Sequence, residues 1–229
     1  MSQKPRAVLW DMDGTLVDTE PYWMAAETAL VTSFGGEWTH EQAMQLVGNG
    51  LHESARILQA AGVEMRADDI VNRLTDDVRT ALATQGVPFR PGAQELLRSL
   101  KDAGIPSALV TMSLRRMARS VVDLIDFDAF EHIVAGDDVD HPKPHPDPYL
   151  KAAELLDIDI AEAFVIEDSV TGLRAGLASG AVTVGVPHML PLDGAGAHEL
   201  WPTLAGRTAD DVVSAFRSVR AGQQEGASR

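Results

Sequence analysis

Two carboxylates one residue apart, Asp11 and Asp13, follow a short apolar run near the start of the chain. The run, residues 6–10, predicts a buried β-strand, and ligands of open α/β sheets bind at the carboxyl ends of the strands. Neighbouring acids repel each other unless a cation or a shared proton relieves them. Because Mg²⁺ prefers carboxylate and phosphate oxygens, the pair predicts a metal-assisted phosphoryl site in which one aspartate is free to attack.

Two other interpretations of this Asp-x-Asp-Gly segment stay open on these residues alone. Asp and Gly are turn residues, so the segment also suits an ordinary acidic turn after a strand. The same pattern opens many calcium-binding loops, although the later acidic positions and the closing Glu of that loop are missing here. A choice between a catalytic site and a turn therefore needs residues from elsewhere in the chain.

Candidate partners for the two aspartates follow other predicted strands. Thr111 comes directly after one apolar run, and Glu167 and Asp168 follow another. Parallel strands put these ends on one edge of a sheet. Lys143 lies among four prolines between residues 141 and 148, which exclude helix and sheet interior there. A lysine held among prolines is less usual than a solvated one, so the convergence favours a site over several coincidences.

The pattern of apolar residues divides the chain into a helical segment and an alternating one. Residues 19–87 contain four helical patterns and no convincing strand, which predicts a small helical domain inserted after the first strand. From residue 88 helices alternate with strands, which predicts an α/β fold with a doubly wound parallel sheet. We expect this Rossmann-like core to comprise residues 1–18 and 88–220, and the small polar tail, residues 221–229, to be disordered. The predicted helices cover 21–34, 40–47, 51–61, 67–84, 91–103, 114–125, 149–156 and 170–179, and the predicted strands cover 6–10, 105–110, 132–135, 163–166 and 181–186.

Composition and charge exclude several classes of protein. With 45% hydrophobic and 23% charged residues, the chain has an ordinary globular composition. A net charge of −15 without a basic stripe argues against a nucleic-acid partner. The absence of cysteine excludes disulfides, thiolate metal sites and thiol nucleophiles. With no apolar signal core and no apolar run of membrane length, we expect a soluble, cytoplasmic protein without a membrane partner.

The order of these motifs resembles the haloacid dehalogenase superfamily of phosphohydrolases. The resemblance runs from about residue 6 to about residue 187, and the helical insertion looks like the small cap domain of that family. Four motifs in the right order, three of them at strand ends, form a specific signal. Residues 18–21, Asp-Thr-Glu-Pro, and residues 167–172 look most like the branch that holds β-phosphoglucomutase and related sugar-phosphate phosphatases.

The resemblance implies a catalytic or phosphate-binding role for five residues. Asp11 would be the nucleophile that forms an aspartyl-phosphate, and Asp13 would be the general acid and base. The hydroxyl of Thr111 and the backbone N–H of Met112 would bind the phosphoryl group. Lys143 would offset the charge that develops on the nucleophile and the phosphoryl oxygens.

The resemblance also implies a magnesium site beside the nucleophile. Mg²⁺ would be bound by Asp11, by the backbone carbonyl of Asp13 and by Asp168, while Glu167 would bind or orient it. The metal would hold nucleophile and phosphate together and lower their repulsion.

The predicted cap would select the substrate. A loop at residues 48–51, with Gly50 and Leu51, would be a specificity element, and Trp23 on the first cap helix could face the substrate. The implied enzyme is a monomeric phosphatase that hydrolyses a small phosphorylated metabolite, with a sugar phosphate as one candidate.

Other reactions of the family and one non-enzymatic class fit less well. True dehalogenases lack the second acid of the first motif, which is present here as Asp13. Phosphonatases need a cap lysine, and no lysine occurs between Lys4 and Lys101. Receiver domains, which accept a phosphoryl group on aspartate as a signal, lack a large insertion after the first strand, so the helices of residues 19–87 argue against a receiver.

A phosphosugar mutase of the β-phosphoglucomutase type is the alternative that stays open. Such a mutase grips a second phosphate with a cap-loop arginine, and this sequence has Leu51 at the corresponding position. The cap histidine expected about ten residues after Asp13 is replaced by Trp23. Both departures favour a phosphatase, although Arg56, one helical turn further on, could compensate.

Overall fold

A six-stranded sheet forms the centre of the protein in the computed structural model, which describes residues 4–227. The strands are β1 (Ala7–Trp10), β2 (Ser107–Val110), β3 (His132–Val134), β4 (Ala163–Glu167), β5 (Val182–Gly185) and β6 (Glu199–Leu200). Neighbouring strands are parallel, in the order β3-β2-β1-β4-β5-β6. The chain builds outward from β1 in one direction and then, from β4, in the other, which confirms the predicted doubly wound α/β fold.

Helices cover the sheet and form the insertion. They are α1 (Glu20–Ser33), α2 (His40–Met44), α3 (Leu51–Ala60), α4 (Ala67–Gln85), α5 (Ala93–Asp102), α6 (Arg115–Val122), α7 (Asp147–Leu155), α8 (Val170–Ser179) and α9 (Ala209–Ala227). Local signals start several of them: the side chain of Thr39 caps α2 in a capping box, and that of Ser169 caps α8. None of the helices within residues 4–227 is long and apolar enough to cross a membrane.

The apolar residues of each strand divide between two cores because successive side chains point to opposite faces. In β1, Val8 and Trp10 belong to the core that includes residues of α5, α6 and α9. Ala7 and Leu9 belong to a second core that includes residues of α7 and α8. Burial on both faces explains why β1 is apolar throughout, as buried parallel strands are.

Helices α1 to α4 lie between β1 and α5 in the chain, at the position of the predicted insertion. Their buried residues, among them Leu30, Leu58 and Leu74, pack together, and α4 also contacts α6 of the sheet domain. The structure thus places the four predicted helices within one or two turns of their expected ends. The division into a core (1–18 and 88–220) and a separate cap domain (19–87) stays a prediction.

The end of the chain differs from the sequence prediction. Helix α9 was not predicted, and its buried residues Val212, Ala215 and Phe216 belong to the core on one face of the sheet. The prediction of a disordered tail from residue 221 is wrong for residues 221–227, which continue α9; residues 228 and 229 lie outside the described part. A helix already anchored by packing extends at little cost through Gln, Glu and Ala, which are good helix formers.

Candidate active site

The carboxyl edge of the sheet brings the predicted site residues together. Trp10, the last residue of β1, is in register with Leu109 of β2 and Ile166 of β4. The residues that follow these strands therefore emerge at the same level, on either side of Asp11. The predicted residues that line one cavity at this edge are Asp11, Asp13, Trp23, Gly50, Leu51, Thr111, Met112, Lys143 and Asp168.

Lys143 crosses from the proline-rich loop to the end of β1. Its Nζ donates hydrogen bonds to Asp11 Oδ1 at 2.8 Å, to Glu167 Oε1 at 2.7 Å and to the carbonyl oxygen of Val110 at 2.9 Å. All three ammonium protons are thus engaged. Burial acts to lower the pKa of Lys143, but the carboxylates of Asp11 and Glu167 outweigh it and hold that pKa above its usual value. Lys143 is therefore a fixed positive charge beside Asp11.

The second oxygen of Asp11 is not held by a protein hydrogen-bond donor in the described part of the chain. Asp11 Oδ2 is buried and has no hydrogen-bond partner within the described residues. Burial, and next the charge of Glu167, raise the pKa of Asp11 to about 7, although Lys143 acts in the opposite direction. A buried carboxylate oxygen without a donor is costly, so Oδ2 is suited to contact a cation or a phosphorus atom.

Asp11, Glu167 and Asp168 have the composition of a hard-metal site. One oxygen from each of the three carboxyl groups lies within 4.8 Å of the others. Burial, followed by the charges of Asp11 and Glu167, raises the pKa of Asp168 well above its ordinary value. The single positive charge of Lys143 does not neutralise three carboxylates, so a bound cation would stabilise the cluster. A donor set made only of oxygen fits Mg²⁺ better than a softer metal.

Gly14 makes room for the Asp168 carboxyl group. A Cβ at this position would lie 1.9 Å from Asp168 Oδ2, and Gly14 has a φ of +88°. Only glycine meets both conditions without strain. The glycine that follows the two aspartates in the sequence is therefore part of the site rather than a simple turn residue.

Glu167 is held by protein donors at both carboxylate oxygens. Oε1 accepts hydrogen bonds from Lys143 and from the hydroxyl of Tyr149 at 2.8 Å. Oε2 accepts from the backbone N–H groups of Asp168 at 3.1 Å and Ser169 at 3.2 Å. Glu167 is fully buried. Its oxygens are therefore already engaged, which favours orientation of Lys143 and Asp168 over direct metal binding.

Asp13 is oriented by donors from two parts of the chain. Its Oδ2 accepts hydrogen bonds from the hydroxyls of Ser113 at 2.7 Å and Thr111 at 3.3 Å, in the loop after β2. Its Oδ1 accepts from the Thr19 hydroxyl and from Trp23 Nε1, which is 3.3 Å away on α1. The two aspartates thus differ in surroundings, since Asp11 faces Lys143 and Asp13 faces neutral donors.

The cavity between the sheet edge and the insertion has a volume of about 120 Å³. From the insertion it is lined by Trp23 and Glu27 of α1 and by residues 46–51, and from the sheet by the loops after β1, β2 and β4. The loop with Gly50 and Leu51 thus faces the aspartates, as its predicted specificity role requires.

Tyr149, Thr19, Ser113 and Glu27 contribute to the site or its cavity but were not predicted from the sequence. A weak signal was available for Ser113, which follows Thr111 by two residues. The other three carry no signal of their own, because their roles depend on contacts between distant parts of the chain.

Arg56 does not join the site. It lies on α3, where it is paired with Glu53 at 2.6 Å and its side chain is 67% exposed, and it is not among the residues that line the cavity. The basic residues that follow the Thr111 loop are also paired elsewhere: Arg115 contacts Asp138, and Arg116 contacts Asp76 of α4 at 3.2 Å.

Comparison with known proteins gives concordant results. The family described as haloacid dehalogenase-like hydrolase matches residues 8–186. Hexitol phosphatase A of Escherichia coli strain K12 is 33% identical over 182 residues, which are 79% of this chain and 82% of that protein. A bifunctional riboflavin kinase/FMN phosphatase of Arabidopsis thaliana is 31% identical over 216 residues, 93% of this chain but 54% of that protein. The chain thus spans about half the length of this second relative.

A solved structure shows the same architecture. The crystal structure of CbbY from Rhodobacter sphaeroides in complex with phosphate superposes with a TM-score of 0.80 and 29% sequence identity. The superposition covers 88% of this chain and 96% of that one.

Proposed function

The chain belongs to the haloacid dehalogenase-like hydrolase family, and we propose that within it the protein is a magnesium-dependent phosphatase acting through an aspartyl-phosphate on Asp11. Its substrate is a small phosphorylated metabolite, of which sugar phosphates are one class. Phosphatase activity is supported by relatives that are named phosphatases. A monomeric state and a cytoplasmic location stay predictions.

The observation that carries this proposal is the asymmetry of the Asp11 carboxyl group. One oxygen is held by Lys143 at 2.8 Å, and the other is buried at the cavity without a partner among the described residues. Such a carboxylate is fixed in orientation and has one oxygen available for attack.

The two aspartates would act in turn. Asp11 Oδ2 forms a bond to phosphorus while the ester P–O bond breaks, and Asp13 donates its proton to the departing oxygen. Asp13 then takes a proton from a water molecule that attacks the same phosphorus, which releases phosphate and restores Asp11. Lys143 and the hydroxyl of Thr111 offset the charge on the phosphoryl oxygens. Mg²⁺, held by Asp11, Asp168 and the carbonyl oxygen of Asp13, would lower the repulsion between carboxylate and phosphate.

A phosphosugar mutase is the second candidate function, and the cavity supports it less. A mutase must bind a sugar bisphosphate and therefore needs a second cationic group. Arg56, the residue considered for this role, is exposed and paired with Glu53, and Trp23 occupies the position of the expected cap histidine.

The proposal is tested with p-nitrophenyl phosphate in the presence of Mg²⁺. We expect turnover that EDTA abolishes and that Asp11→Asn lowers to the background rate while the far-UV circular dichroism spectrum is unchanged. Substantial turnover by Asp11→Asn would disprove the nucleophile assignment. β-Glucose 1-phosphate with a bisphosphate activator separates the two candidates: glucose 6-phosphate is the product of a mutase, and inorganic phosphate that of a phosphatase.

A further inference from the structure

Glu27 is a buried acid of the insertion that the proposed reaction does not use. It lies on α1, one helical turn after Trp23, lines the cavity and is only 5% exposed. Within residues 4–227 a single donor reaches its carboxyl group, Trp38 Nε1, which is 3.4 Å from Oε2. Buried side-chain polar atoms normally have at least one hydrogen-bond partner each. The other oxygen, Oε1, is thus left for an occupant of the cavity.

Glu27 lines the cavity, and its Oε1 has no hydrogen-bond partner within residues 4–227. The fully buried side-chain oxygens without a partner in the described chain are Asp11 Oδ2 and Thr15 Oγ1. Glu27 Oε1 is unpartnered but is not one of them, so part of its surface stays accessible. The residue as a whole is almost completely buried and lines the cavity.

The cavity has no free cationic group. Its charged lining residues are Asp11, Asp13, Glu20, Glu27, Lys143 and Asp168. The three ammonium protons of Lys143 already contact Asp11, Glu167 and Val110. On the insertion side, where the leaving group of a phosphate ester would lie, both charged residues are acids. A second anion there would lose its hydration without gaining a cationic partner.

Burial favours the neutral form of the Glu27 carboxyl group. Burial raises its pKa to about 8, the hydrogen bond from Trp38 acts against this, and the charge of Glu20 adds to the rise. A protonated carboxyl group both donates and accepts hydrogen bonds, and a substrate hydroxyl does the same. An ammonium group would instead need an ionised partner.

We propose that Glu27 forms a hydrogen bond with a hydroxyl of the leaving group and so selects monophosphates of uncharged polyhydroxy compounds. Glu27 is then a specificity-determining residue, and the lack of a cation on the insertion side excludes bisphosphates and phosphorylated carboxylic acids. This inference rests on the proposed phosphatase function and narrows its substrate class.

Matched substrate pairs test the selection. Glucitol 6-phosphate has a hydroxymethyl group where 6-phosphogluconate has a carboxylate. Glycerol 3-phosphate and 3-phosphoglycerate form a second pair with the same difference and a shorter carbon chain. We expect kcat/KM for the uncharged member of at least one pair to exceed that for the acid about 100-fold, because a site built for hydroxyl groups discriminates strongly. Equal or reversed values in both pairs would overturn the proposal, as would a preference for glucosamine 6-phosphate over glucose 6-phosphate.

Variants of Glu27 separate recognition from a structural role. The measured quantity is kcat/KM for the preferred polyol phosphate divided by kcat/KM for p-nitrophenyl phosphate. Glu27→Leu should lower this ratio at least about 10-fold. Glu27→Gln, whose side chain still forms hydrogen bonds, should keep most of it. Equal losses on both substrates in Glu27→Leu would indicate a structural role only and overturn the proposal. Glu53→Leu is the matched control, since Glu53 is exposed on α3; its ratio should equal that of the wild type.

Failure of the phosphatase function is recognised separately. If the wild-type protein hydrolyses no phosphate ester, the binding of glucitol 6-phosphate and 6-phosphogluconate is measured by calorimetry with Mg²⁺. Tighter binding of the polyol phosphate, weakened in Glu27→Leu, would support recognition by Glu27 without hydrolysis. Equal binding of the two compounds would overturn it.

Discussion

The Tyr149→Phe substitution tests whether Glu167 owes its position to a network of buried donors. The Tyr149 hydroxyl donates to Glu167 Oε1 at 2.8 Å, and both residues are fully buried. Burial and the charge of Glu167 raise the pKa of Tyr149, so the hydroxyl stays protonated, and hence a donor, at all pH values of interest. The substitution removes one donor to a charged acceptor and changes little else.

The magnitude of the loss follows from what remains at Glu167. A hydrogen bond to a charged group contributes about 1.5–3 kcal/mol. The same oxygen keeps its contact with Lys143 at 2.7 Å, so the acceptor is not left unsatisfied. We therefore expect a loss near the lower limit, about 1.5 kcal/mol, in the free energy of unfolding. For a domain of this size that corresponds to a decrease in Tm of about 3–6 °C.

Urea denaturation and calorimetry measure this loss, and Tyr22→Phe supplies the control. The Tyr22 hydroxyl donates to the carbonyl of Gly86 at 3.1 Å in an exposed setting, so its removal should cost less than about 0.5 kcal/mol. We also expect kcat of Tyr149→Phe to fall several-fold, because Lys143 shares its acceptor with Tyr149. If the two substitutions have the same small effect on stability, the description of Glu167 as a fixed buried anion is wrong.

Three further predictions concern the charge of the site, its pH dependence and the contact between insertion and sheet domain. Lys143→Met should lower kcat about 100- to 1,000-fold on p-nitrophenyl phosphate, as the loss of a fixed positive charge at the reacting group does; a loss below 10-fold would contradict its role. The raised pKa of Glu27 means that the folded protein binds a proton that the unfolded chain has released, so the free energy of unfolding should fall as pH rises from about 4.5 to about 8. In urea titrations across this range, Glu27→Gln should have a shallower slope than the wild type, and parallel slopes would contradict the assignment. Arg116→Ala removes the contact with Asp76 between α6 and α4 and should raise KM a few-fold with a stability change below about 1 kcal/mol; Arg73→Ala, whose partner lies on the same helix, should leave KM unchanged.

Residues at strand ends could be predicted from the sequence because their position follows from topology alone. Once the strands are recognised as parallel, Asp11, Thr111 and Glu167 must meet at one edge of the sheet. Lys143 could be associated with them only through its unusual setting among prolines and the family resemblance. Its bond to Asp11 connects residues 132 positions apart, which no local pattern contains.

Contacts that depend on side-chain direction could not be predicted in the same way. Arg56 lies one turn after Leu51, yet its side chain turns to Glu53 and solvent. His141 and His145 are separated by prolines, which exclude a common helix face, but both rings contact Asp147, at 2.7 and 2.9 Å. Spacing along the chain predicts which residues can share a helix face. Loops have no such periodicity, so spacing does not predict which of their side chains meet.

Glu27 had no sequence signal because an acidic side chain on a helix is usually solvated. In the structure this residue is buried, and the donor to its carboxyl group, Trp38, lies outside the helix. The sequence motifs indicate the chemistry at phosphorus and not the group attached to it. The substrate class could therefore not be predicted from them.

Helix α1 contributes both to the surroundings of Asp13, the proposed acid, and to the proposed leaving-group site. Trp23 donates to Asp13 at 3.3 Å, and Glu27 lies one turn further along the same helix. Asp13 also accepts a hydrogen bond from Ser113 in the loop after β2, so donors from α1 and from that loop together orient its carboxyl group. In the proposed complex, a leaving group bonded to Glu27 would contact the same helix that donates to Asp13, the acid that would protonate it. A poor leaving group such as a polyol needs this proton, whereas p-nitrophenolate does not. The ratio of kcat/KM for a polyol phosphate to kcat/KM for p-nitrophenyl phosphate, rather than either value alone, therefore tests the role of α1.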